Sequence, residues 1–284
     1  MKFLNLFLVA VTLGATAARA EIPANFQREN LVAWCIVPFD AKKRGPAERV
    51  AMLEELGLRR IAYDWRKEHV AEFDEEFRLY REHGLELFAF WSVHEAAYPL
   101  FEKHDFTPQV WRTLRSPDGT TDKERIDQAA SSMEELARDL GDRGLTLGLY
   151  NHGGWGGRPS SLVAVCEELH ARGHENVGIV YNFHHAHFDR EEFSAEFARM
   201  IPHLLCLNLN GMLDPEEFDV KKQQDKIRPV GSGEHEKEML RIVLESDYTG
   251  PVGILGHRTD RDVEIVLREN LEGLDSLLSD LTGE

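Results

Sequence analysis

The stretch TLGLYNHGGWGG at residues 146–157 is an apolar run that ends in Tyr150, Asn151 and His152 and then enters a glycine-rich loop. A phenol, an amide and an imidazole donate and accept hydrogen bonds, and an imidazole of near-neutral pKa can also carry a proton. The same transition recurs along the chain: Asp64, Trp65 and Arg66 close one apolar run, and Trp91 and His94 another. Asn182, His184, His185 and His187 follow a third, and Asn208 and Asn210 a fourth; Glu234 with His235, and His257 with Arg258, complete the series. For proton transfer, Asp64 and Glu234 are the candidate carboxylate bases, and His152 and His185 the candidate acids or oxyanion donors. Arg66, Asn151, Asn182, Asn208 and His257 are suited to hydrogen-bonding hydroxyl groups. Trp91, with Trp34 or Trp155, offers a face for a pyranose ring.

Residues so far apart converge only if the elements before them are arranged in a ring. Segments such as 48–66, 75–95 and 133–152 each carry Leu, Met, Ala or Phe at three- and four-residue spacing, stop at Gly57, Gly84 or Gly144, and continue into a short apolar run. Helix, left-handed glycine cap, then strand is the reading. It predicts strands at about 31–38, 60–65, 86–92, 145–150, 177–182, 204–209, 227–231 and 252–256. Their continuous apolar character suits parallel strands buried on both faces. Eight strands alternating with helices over roughly 250 residues point to a single-domain (β/α)8 TIM barrel, whose active site lies at the C-terminal strand ends. An open doubly wound sheet is the alternative, and no GxGxxG follows the first strand. The connection 94–122, with Pro99, Pro108 and Pro117-Asp118-Gly119, reads as a loop excursion over the barrel mouth.

Composition limits the partners. The formal charge of −17 argues against nucleic acid, which needs clustered basic residues. Residues 1–20, MKFLNLFLVAVTLGATAARA, read as a secretory signal peptide with small residues at Ala18 and Ala20. Residues 21–284 are then the barrel of a secreted or periplasmic protein with no membrane partner after cleavage. Cys35, Cys166 and Cys206 lie in apolar stretches as small hydrophobes, and a Cys35–Cys206 bridge is the one pairing left open.

The segments LGLYNHGG, VGIVYNFHHAH, LNLNG, PVGSGEHE and GPVGILGH together resemble the xylose isomerase-like barrels, the superfamily of sugar phosphate isomerases/epimerases and endonuclease IV. The resemblance implies a divalent metal held by carboxylates and histidines at successive strand ends, and proton transfer next to a carbonyl. Here Tyr150, Asn182 and Asn208 stand at three of the positions where ligands are implied, and the fourth falls within Leu255-Gly256-His257. Hard cations such as Mg²⁺ need anionic oxygens, so no cofactor is expected there. A softer ion on His152, His185 and His257 is the arrangement left open. The expectation is an exported isomerase or epimerase acting on a non-phosphorylated sugar or keto-sugar. The alternatives are a non-catalytic sugar-binding barrel and a sugar lyase or hydratase.

Overall fold

The computed structural model describes residues 22–283 apart from 188, 215, 218 and 220. The predicted signal peptide, residues 1–20, lies outside the described residues. Eight parallel strands run in order around a closed barrel: β1 Val32–Trp34, β2 Arg60–Asp64, β3 Glu86–Trp91, β4 Gln109–Thr113, β5 Thr146–Tyr150, β6 Val177–Asn182, β7 Leu204–Asn208 and β8 Val252–Leu255. The ring closes where β8 pairs with β1, Leu255 beside Trp34. Helices α1 Pro46–Glu55, α2 Phe73–Glu82, α3 Tyr98–Lys103, α4 Asp122–Asp142, α5 Pro159–Ala171, α6 Phe193–Met200, α7 Gln223–Lys226, α8 Glu236–Glu245 and α9 Val263–Thr282 fill the connections. None of the described helices is long and apolar enough to cross a membrane.

The helices form for the reasons their sequences suggest. Helix α2 places Phe73, Phe77 and Tyr80 on one face, and all three are fully buried against the barrel wall. Gly57, Gly84 and Gly144, just past α1, α2 and α4, adopt positive φ, the conformation that a residue with Cβ resists. The N-terminus of α4 is closed by a capping box in which Thr121 Oγ1 accepts from Glu124 N–H and the Glu124 carboxylate accepts from Thr121 N–H.

Along each strand alternate residues face opposite sides. Leu147 and Leu149 of β5, and Ile179 and Tyr181 of β6, belong to the core between barrel and helices. Their neighbours Tyr150 and Val180 join Val32, Trp34, Ala62, Ala89, Trp111, Cys206 and Leu255 in the barrel interior. This parity sends the last residues of β2, β3, β5, β6 and β7 inward. At Gly148 of β5 a Cβ would stand 2.7 Å from Trp111 Cδ1 and 2.7 Å from Val180 Cγ2. The glycine therefore makes room for the Trp111 indole inside the barrel.

Two expectations about elements are corrected. Residues 227–231 form no strand; β4 comes instead from 109–113, inside the segment read as a loop over the mouth. The run QVWRT buries only Val110 and Trp111, between Gln109, Arg112 and Thr113, so it lacks the continuous apolar character of its neighbours; Val110 packs against the helices and Trp111 in the barrel interior. The 94–122 connection thus builds α3 and a wall strand. The segment that reaches the mouth follows β7: Gln223 of α7 donates to the His257 carbonyl at 2.9 Å.

Candidate functional site

A cavity of about 340 Å³ opens at the C-terminal strand ends, lined by Trp34, Cys35, Phe39, Asp64, Arg66, Trp91, Tyr150, His152, His184, His185 and His257. Its floor is aromatic. The Trp34 ring centroid lies 4.9 Å from that of Trp111 and 6.1 Å from that of Tyr150, and Trp91 lies 4.6 Å from Tyr150. Tyr150 Oη accepts from Trp34 Nε1–H at 3.4 Å and lies 3.5 Å from His184 Nε2. Burial pushes the Tyr150 phenol well above its ordinary pKa, so it stays protonated and able to donate.

Asp64, the last residue of β2, is 1 % exposed. Val37 N–H donates to its Oδ1 at 3.4 Å, while Oδ2 is buried without a hydrogen-bond partner. Loss of hydration raises its carboxyl from 3.8 to about 7, with Arg66 and the Val37 amide pulling the other way. The carboxyl is thus poised to take or give a proton near neutral pH.

On the facing wall the imidazoles crowd together with their rings tilted, His184 to His185 at 4.0 Å between centroids and His152 to His185 at 4.4 Å. Burial, and then the positive charges nearby, hold all of them below the usual histidine range. His184 and His185 fall well below it, His152 is lowered, and His257 falls to about 3. They are neutral at pH 7, each with one donor and one acceptor nitrogen.

The cavity brings together Asp64, Arg66, Trp91, His152, His185 and His257 from the residues singled out in the sequence. It does not include Asn151, Asn182 and Asn208, which are fully buried and bonded to one another. Asn182 Nδ2 donates to Asn151 Oδ1 at 2.6 Å, Asn151 Nδ2 to the Asn182 carbonyl at 3.1 Å, and Asn208 Nδ2 to Asn182 Oδ1 at 2.8 Å. These amides tie β5, β6 and β7 together beneath the cavity. Glu234 is also outside it, exposed beside Asp214 and His235. Trp155 packs against the outer core.

Sequence reasoning passed over Cys35, Phe39 and Lys226. Half-buried Lys226 of α7 has its own pKa lowered by burial, and its charge reaches His152, His184, His185 and His257. In KKQQDKIRPV nothing separates it from its solvated neighbours. All three cysteines are free and buried, so the Cys35–Cys206 bridge is not formed.

The family profile described as xylose isomerase-like TIM barrel matches residues 19–277. The chain belongs to this family. A comparison with curated proteins gave no match. Among solved structures, protein SMc04130 from Sinorhizobium meliloti 1021 is 15% identical with a TM-score of 0.68, covering 88% of this chain and 99% of its own. The 3-keto-D-glucoside 4-epimerase YcjR from E. coli is 13% identical with a TM-score of 0.59, covering 82% and 94%. A xylose isomerase-like TIM barrel protein from Mycobacterium smegmatis, solved with magnesium, is 16% identical with a TM-score of 0.58, covering 92% and 99%. At these identities the likeness is one of fold.

The donor set here does not fit a hard divalent ion of the kind the family resemblance implies. Tyr150 is a protonated phenol, Asn182 and Asn208 spend their amides on each other, and neutral amides supply no charge to offset dehydration of the cation. Among the described residues, the trios whose ligand atoms gather within 4.8 Å are Cys166–His170–His203 and Asp214–Glu234–His235. His152, His185 and His257 do not form such a trio.

Proposed function

We propose that the protein is an exported sugar isomerase or epimerase that moves a proton next to the carbonyl of a non-phosphorylated sugar or keto-sugar. The observation that carries this reading is Asp64, a buried carboxyl with one unpartnered oxygen on a small aromatic and imidazole-lined cavity. A volume of about 340 Å³ is at the small end for ligand sites, which run from about 300 to 1,000 Å³. It suits one sugar ring rather than a chain. Trp91 or Trp34 packs against the apolar face of the ring. Asp64 removes the proton α to the carbonyl; in an isomerisation it returns that proton to the adjacent carbon, and in an epimerisation the opposite face is reprotonated by a donor on the facing wall, His152 or His185. The Tyr150 hydroxyl and the neutral imidazoles of His184 and His185 donate to the oxygen on which negative charge develops. The 3-keto-D-glucoside 4-epimerase YcjR has the same fold. Export, read from residues 1–20, favours a free sugar over a phosphorylated one, and the N-terminal residue of protein recovered outside the cytoplasm is then Glu21.

Incubation of the protein with a panel of ketoses and keto-sugars in deuterated water, followed by NMR, tests the chemistry. Deuterium enters at carbon next to the carbonyl of the substrate, and Asp64→Asn slows this by about 10²–10⁴-fold, whereas Glu234→Gln leaves it unchanged. Exchange that is undiminished in Asp64→Asn removes the residue from the role. A second reading, a non-catalytic sugar-binding barrel, is favoured by the asparagines that stand where the resemblance implies metal ligands. It predicts Trp fluorescence changes on sugar binding without deuterium entry into any ligand. A lyase or hydratase is distinguished by a dehydrated product in the same spectra.

A further inference from the structure

Away from the mouth, at the opposite end of the barrel, three soft or borderline ligands meet. Cys166 and His170 lie one turn apart on the same face of α5, and His203 ends the turn that leads into β7. The Cys166 Sγ is 3.6 Å from His170 Nε2, the His170 and His203 rings are 5.4 Å apart, and the three ligand atoms lie within 4.8 Å of one another. We infer that Cys166, His170 and His203 form a binding site for a borderline transition-metal ion, zinc above all, that is separate from the sugar cavity.

The chemistry of the set is specific. Thiolate and imidazole are the ligands that zinc selects, and a tetrahedral ion at about 2.0–2.3 Å from each sets its ligands roughly 3.3–3.8 Å apart. The sulfur–nitrogen separation of 3.6 Å between Cys166 and His170 falls in that range. Cys166 Sγ–H and His170 Nε2–H both donate to the Val177 carbonyl, at 3.5 and 2.8 Å, so the two ligand atoms are aimed at one point, and an ion bound there displaces the thiol proton and shifts the imidazole to its other tautomer. His203 Nδ1 is buried without a hydrogen-bond partner. On the other side of that ring Nε2 lies 3.8 Å from the exposed carboxylate of Glu167. The other trio, Asp214–Glu234–His235, lacks this character: Arg190 already lies 3.3 Å from Asp214 and 3.2 Å from His235 Nδ1, supplying the positive charge an ion would bring.

The full chain, stripped of metal under reducing conditions, is titrated with Co²⁺ and then with Zn²⁺. One equivalent of Co²⁺ is expected to produce a sulfur-to-cobalt charge-transfer band in the near ultraviolet, displaced by Zn²⁺. The band is lost in Cys166→Ser and in His203→Ala, and kept in Cys35→Ser, Cys206→Ser and the double variant His152→Ala/His185→Ala. Zinc-edge X-ray absorption of the wild-type protein needs no variant to fold, and shows one sulfur with nitrogen or oxygen neighbours. A band that survives in Cys166→Ser, a band that disappears with the mouth histidines, or a zinc shell without sulfur overturns the assignment.

Discussion

At the scale of single residues, the cavity sets its groups apart by how each is desolvated. Asp64 loses its hydration without gaining a partner for Oδ2, so its proton is held up to about 7. A base with that pKa makes kcat/KM rise with pH through about 7 and level off above it. The same shift bears on stability. Between about pH 4 and pH 7 the folded state holds a proton that the unfolded state has lost, so this group makes the protein less stable as pH rises through that window. Asp64→Asn is therefore expected to be more stable than wild type at pH 8, by roughly 4 kcal/mol as a ceiling, and the gap closes below about pH 4. Urea unfolding at pH 4, 6 and 8 measures it. The histidines work in the opposite direction. Their folded pKa values are depressed, that of His257 to about 3, so the unfolded chain takes up protons first and stability falls as pH drops below about 6.5. In His257→Gln this acid-side loss is expected to be shallower than in wild type, which thermal melts between pH 4 and 7 resolve.

At the scale of elements, the two-residue period of the strands decides which side chains reach the mouth. Asp64, Trp91, Tyr150, Asn182 and Asn208 each sit an even number of residues from an interior neighbour, which is why a core-facing run ends in a polar group. The strand whose sequence was hardest to recognise is the one that most constrains the interior. Trp111 of β4 is fully buried and packs edge-on to Trp34, and Gly148 leaves the space it needs. Gly148→Ala is expected to destabilise the barrel by about 1–3 kcal/mol through overpacking and to shift Trp fluorescence, because the methyl group displaces the Trp111 ring. Denaturant unfolding with matched m-values checks the first effect, and emission spectra the second. An unchanged midpoint would mean that the interior has slack there.

At the scale of the whole molecule, the chain folds as a barrel of its family, and its mouth carries uncharged groups at the positions where the resemblance implies charged ligands. At two of the positions where the resemblance implies ligands stand Asn182 and Asn208, which with Asn151 form a chain of buried amides joining β5, β6 and β7, and at a third stands the phenol of Tyr150. Mg²⁺ or Mn²⁺ is therefore expected to leave the melting temperature unchanged. An ion bound at 100 times its dissociation constant would add about 2.7 kcal/mol and raise the melting temperature by several degrees. Differential scanning calorimetry with millimolar Mg²⁺ decides between these outcomes.

The sequence alone determined the alternation of amphipathic helix, glycine cap and apolar strand, and with it the barrel. These signals are local: a helical face, a left-handed cap and a strand period are each written within about twenty neighbouring residues. It also showed most of the strand ends that carry polar groups, because the switch from apolar to polar is visible in a string such as YNHGG; the failures are 227–231, which forms no strand and so places Glu234 and His235 at no strand end, and β4, whose sequence reads as loop. The tertiary structure decided what those groups do. Whether an amide faces a ligand or another amide depends on the neighbouring strand, so Asn151, Asn182 and Asn208 could not be told from binding residues before β5, β6 and β7 were set side by side. Glu234 and Asp64 are equivalent as letters, yet one is solvated beside His235 and Asp214 and the other is stripped of water inside the ring. Lys226 joins the histidines only because α7 folds back over the mouth. Pairing partners and desolvation are properties of packing between distant segments, and the chemistry of this cavity rests on both.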